Sequence, residues 1–92
     1  MKTFGDFIKN KREELGIPQR KIAAQLDIDT STLSKIERNE RRATSLMLNI
    51  ISTELNIDLE TVEFEFLKDS IHSEFNDLKF FKKNLTKIVS EL

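Results

Sequence analysis

Thr30, Ser31, Thr32 and Lys35 bring three hydroxyls and an ammonium together within one short stretch, and such groups recognise hydrogen-bonding edges rather than make or break bonds. A lysine can donate to the O6 and N7 acceptors of guanine, hydroxyls can donate or accept, and the threonine methyls can touch the methyl group of thymine. Side chains this short reach a base only at close approach. Thr30 and Ser31 also have an ordinary alternative role as caps of a helix start. Arg38, Arg41 and Arg42 follow in the run RNERR, where backbone phosphates are the natural ligand and a solvated loop is the alternative. Arg20 and Lys21 are weaker phosphate candidates, since surface lysines and arginines often serve solubility alone.

Other chemistry has few materials. The chain has one histidine, His72, no cysteine and only two glycines, so thiolate metal sites, disulfides and glycine-rich phosphate loops are excluded. We expect no enzymatic activity, no cofactor and no metal. Glu60, Glu63 and Glu65 read as the solvated side of a helix, and His72 as a surface or dimer-face residue. The formal net charge of −1 conceals a division: residues 1–42 hold ten Lys or Arg against seven Asp or Glu, and residues 43–92 hold five against nine. The basic balance of +3 travels with the candidate contact residues.

Those residues need a scaffold, and the apolar pattern supplies one. Phe4, Phe7, Ile8 and Leu15 recur at helical spacing, and Gly16 follows where a left-handed residue commonly ends a helix. Pro18 suits a helix start, and Ile22, Ala23 and Leu26 form the inward stripe of a second helix. Asp27 falls at a tight turn, Asp29 can cap a third helix from Thr30 to about Arg38, and Asn39 can terminate it. Two short helices joined by a tight turn have the layout of a helix-turn-helix, with Ala23 small where the pair must cross and Leu33 and Ile36 turned inward. Leu46, Met47, Leu48, Ile50, Ile51 and Leu55 predict a mostly buried fourth helix, and Asp58 is placed to cap the next one. From Leu59 onward the chain reads as mostly helix; Leu78, Phe81, Leu85, Ile88 and Leu92 are spaced as a seam for a facing partner.

Over roughly Phe4 to Asp58 the chain resembles the Cro and phage-repressor type of helix-turn-helix, the XRE family. The resemblance rests on the first helix KNKREELG, on Gln19 and Ala23, and on STLSKIERN, which is similar to the family ending S-x-x-S-x-I-E-x-G. Restriction-modification controllers look similar. The resemblance implies that Gln19 braces a phosphate with its amide, and that Arg12 and Glu37 form a partly buried ion pair orienting the third helix. Asp27 and Asn39 depart from it, standing where the family has glycine. Asp27 and Asp29 also place negative charge near the expected DNA surface.

The expected architecture is all-α: a five-helix lambda-repressor-like helix-turn-helix domain, residues 1–58, with a helical C-terminal extension, residues 59–92. The expected partner is double-stranded DNA, bound by a homodimer on a palindrome in the cytoplasm, with no membrane association. Five of the seven phenylalanines lie in the extension, which must fold back or dimerise. A competing expectation is an antitoxin-like module whose Phe-rich C-terminal helix binds a partner protein.

Overall fold

The structure is a computed structural model describing residues 2–92. Thr3 opens helix α1 (Phe4–Glu14) with a reciprocal cap: its hydroxyl accepts the Asp6 N–H at 3.0 Å, and the Asp6 carboxylate accepts the Thr3 N–H at 3.2 Å. Gly16, at φ 70°, turns the chain into α2 (Gln19–Leu26), and Asp27, at φ 57°, turns it again toward α3 (Thr30–Glu37). Asn39 ends α3 in the same left-handed region, at φ 63°. Asp27 and Asn39 thus take the backbone that the sequence assigns them.

After an extended link the chain makes a single 3₁₀ turn, Ser45–Met47, before α4 (Leu48–Glu54). Leu46 lies in that turn and is 88 % exposed, a correction to the inward position that its periodicity predicts, because a 3₁₀ turn does not continue the face of the helix after it. Asn56, at φ 52°, leads into α5 (Leu59–Phe75). Asp58 occupies the cap position there but makes no side-chain bond, so that expectation is also corrected: the turn closes through the Val62 N–H and the Asp58 carbonyl at 3.1 Å.

The core is apolar and lies between α1 and α5. Ile8, Ile22, Leu33, Ile51, Leu55 and Val62 are sealed from solvent, and Phe4 meets the edge of the Phe66 ring at 5.4 Å. Val62 belongs to the first turn of α5, so the inner face of that helix is part of the same core as α1–α4. The buried Asp69 extends this attachment, its carboxylate accepting the Phe4 N–H at 3.0 Å at the positive end of α1. Beyond residue 75 the chain breaks and resumes as α6 (Phe81–Glu91), so the extension contains two helices. No glycine or proline marks that break; Asn76 and Asp77 are poor helix formers, and Leu78 turns on Phe75 through a 3.0 Å backbone bond.

Candidate nucleic-acid interface

Leu33 and Ile36 point α3 into the core, which leaves Thr30, Ser31 and Lys35 exposed on its other side and Thr32 half-buried. Asp29 caps the helix: its Oδ1 accepts the Thr32 N–H at 2.8 Å and the Ser31 hydroxyl at 2.9 Å. These bonds hold the Asp29 carboxyl down to about 2, first through Thr32 and then Ser31, so the cap is charged at neutral pH. Ser31 therefore spends its proton on the cap and retains only acceptor capacity toward a base. Among the described residues, the Thr30 hydroxyl and the Lys35 ammonium have no hydrogen-bond partner, leaving their full capacity to an incoming ligand.

The far end of α3 is fixed by a buried network centred on Glu37, which is 3 % exposed. Arg12 Nε donates to Glu37 Oε2 at 2.7 Å and Nη2 to Oε1 at 3.0 Å, while Nη1 reaches the Ile17 carbonyl at 2.8 Å. The bond to Glu37 raises the Arg12 pKa against the opposing effect of burial. Gln19 joins the network, donating to Glu37 Oε1 at 2.9 Å and accepting the Ser34 hydroxyl at 2.9 Å. Its amide thus binds α2 to α3, with one Nε2 hydrogen left over for a further acceptor. The sequence places Gln19 where α2 and α3 must touch, as found; the part of Ser34 was missed, and its spacing from Gln19 across the turn was the available signal.

Gly5 completes the clamp and was also missed. A Cβ there would overlap the Ile36 carbonyl oxygen and come within 2.9 Å of the Glu37 carbonyl oxygen, so α1 crosses directly over the last turn of α3. Nothing near Gly5 in the sequence signals a contact with residues so far along the chain.

The basic residues divide by environment. Arg38 is paired with Glu40 (Nε to Oε2, 2.7 Å), which raises the pKa of the one and lowers that of the other. Arg42 donates to the Ser73 hydroxyl on α5 at 2.8 Å. Arg41, Arg20 and Lys21 are exposed and, among the described residues, in no ion pair. The structure therefore does not gather all six basic and amide candidates equally: Gln19 and Arg38 are engaged internally, and Arg42 is tied to α5.

A family model described as helix-turn-helix matches residues 8–62, more than half of the chain. The chain belongs to this XRE-type family. Its members are DNA-binding transcription regulators of the Cro and repressor type, and this chain is a DNA-binding regulator of that kind. No curated protein and no solved structure matches it. The helix-turn-helix match ends at Val62, so most of α5 and all of α6 lie beyond the family's common part. Among the described residues no helix is long and apolar enough to cross a membrane, and no cluster of His, Asp or Glu is placed to hold a metal ion.

Proposed function

We propose that this regulator acts in the cytoplasm as a homodimer on a palindromic operator, each α3 entering a major groove, with the two grooves about 34 Å apart. Residues 1–58 supply the DNA-contacting surface and residues 59–92 the means of pairing. Thr30, Ser31, Thr32 and Lys35 read base edges. Gln19, Arg20, Lys21, Arg38, Arg41 and Arg42 hold phosphates, with Gln19 using the amide hydrogen that Glu37 leaves over.

One observation carries the reading: α3 is clamped at its buried end by Glu37 and Gly5 while its opposite face presents Thr30 and Lys35 without internal partners. A rigid rod with unspent donors suits direct readout, because the groups need no reorganisation on binding. The amino end of α2 adds support, since Pro18 provides no side-chain acceptor for its first amides and a phosphate oxygen could take that place.

Selection of bound sequences from random duplex DNA tests this. A palindromic motif is expected. Lys35→Ala should relax preference at one base position in each half-site by about 1–3 kcal/mol, whereas Arg41→Ala should weaken all sequences alike and reduce the salt slope by about 1. A motif and affinity unchanged by both substitutions would refute the contact map.

A further inference from the structure

Helix α5 has two apolar faces. Val62 and Phe66 seal one against the core; Phe64, Leu67, Ile71 and Phe75 run along the other side of the same helix. Ile71 and Phe75, with Leu78 in the turn, form a groove with Phe81, Leu85 and Ile88 of α6. The chain's own α6 reaches no further along the stripe. Phe64 is 59 %, Leu67 58 % and Leu78 58 % exposed, and Ile88 is 53 % exposed on the facing helix. Phe75, Phe80, Val89 and Leu92 are exposed as well, and large apolar side chains gathered in such numbers mark an interaction surface.

Charge says what covers it. Around its stripe α5 carries Glu60, Glu63 and Glu74, its Glu65 and Lys68 being paired with each other at 3.1 Å, whereas the α6 segment carries Lys79, Lys82, Lys83 and Lys87 against Asp77 and Glu91. The acidic helix and the basic helix are parts of the same chain, so two copies satisfy both surfaces at once and the contact closes on itself.

We propose that a second copy of this chain occupies the groove, each α6 lying along the outer stripe of the other copy's α5. This rests on the dimeric reading above and specifies its interface. The exchange gives an occupant to the part of the stripe that the chain's own α6 does not reach, Phe64 and Leu67.

The test uses the full chain without DNA, so that it stands apart from operator recognition. Sedimentation at tens of micromolar should give twice the 10.7 kDa chain mass. Leu67→Glu and Ile88→Glu, both at exposed positions, should retain helical content and cooperative unfolding while raising the dimer dissociation constant about tenfold or more. Leu67 lies outside the chain's own groove, so its effect separates exchange from closure of α6 on its own α5. In a charge-swap pair, one chain carries Lys79, Lys82 and Lys83→Glu and the other carries Glu60, Glu63 and Glu74→Lys. Each should self-associate poorly alone and form a mixed dimer on combination. A monomeric wild type, a dimer indifferent to Leu67→Glu, or failure of the swapped chains to pair would overturn the proposal; the first of these would leave the face to a different protein or to the chain's own α6. A dimer of this kind that selects no palindrome would sink the operator reading alone.

Discussion

Replacing Arg12 by methionine removes one partner of a carboxylate that is 3 % exposed and receives three hydrogen bonds, two of them from Arg12. Gln19 alone then remains to solvate a buried charge. Breaking a buried pair from one side typically destabilises by about 3–5 kcal/mol. A chain of this length has a total stability of order 5–14 kcal/mol. If the true value is near the lower bound, a loss of about 4 kcal/mol leaves roughly one molecule in six unfolded at 25 °C. Melting temperatures should fall by at least about 12 °C. Glu37→Leu should be of similar size, since it strands the guanidinium, which would retain only the Ile17 carbonyl. The informative variant is the double one. Arg12→Met with Glu37→Leu replaces charge by apolar volume, and such replacements are often neutral or stabilising. Its stability should return to within about 1–2 kcal/mol of wild type, giving a coupling energy above about 3 kcal/mol in a thermal-denaturation cycle. Operator affinity should not return with it, because apolar contact does not fix the rotation of α3 as a two-pronged guanidinium bond does. Additive single effects would refute the buried-pair energetics, and a double variant with wild-type affinity would refute the orienting role.

The same geometry sets three further outcomes. Gly5→Ala should destabilise by about 3 kcal/mol in chemical denaturation, the upper end of overpacking effects, because the obstacles are the backbone carbonyls of Ile36 and Glu37 rather than flexible side chains. Asn39→Gly should stabilise by about 0.5–1 kcal/mol, since glycine takes the left-handed backbone at φ 63° at less cost even than asparagine; denaturation midpoints with an unchanged slope check this. The cap carboxyl of Asp29, lowered to about 2, supports α3 above the ordinary aspartate pKa near 3.9, and its contribution is lost as pH falls from about 4 through 2. Carboxyl-carbon chemical shifts should therefore show no Asp29 titration between pH 5 and 8, and Asp29→Asn, which keeps the cap but removes the charge, should tighten non-specific DNA binding.

The ends of α1, α2 and α3 are legible in the sequence because local chemistry sets them. Gly16 and Asp27 turn, Asp29 caps and Asn39 stops, each acting within a few residues of itself; the Thr3 cap acts as locally but was not read. What failed to show depended on distance or on a change of helical pitch. Leu46 keeps the apolar period yet faces solvent because three residues wind as 3₁₀. The break between α5 and α6 has no glycine or proline, only two poor helix formers followed by turn bonds. Gly5 depends on carbonyls at residues 36 and 37, Asp69 on an amide at residue 4, and Arg42 on a hydroxyl at residue 73, and no periodicity relates such pairs.

The cap at Asp29 also bears on how a chain with two aspartates beside its contact surface can bind DNA. Asp29 repels phosphate, yet removing it would free the Thr32 amide and lose the cap that starts α3. The charge is tolerable because it sits at the amino end of a helix, whose positive dipole offsets part of its field. The rest must come from the cations around it, and Arg38 is already matched by Glu40. Arg20, Lys21, Lys35, Arg41 and Arg42, whose partner Ser73 is uncharged, remain to balance Asp27 and Asp29, a modest surplus for one protomer. Each copy alone therefore has little electrostatic attraction for a duplex, and joining two copies through α5 and α6 would double the phosphate contacts without adding a single residue. On the proposed dimer, weak binding by one copy and strong binding by two would make occupancy rise steeply with protein concentration. Weakening the proposed interface with Leu67→Glu should therefore reduce operator occupancy in a binding titration, even though Leu67 lies far along the chain from α3.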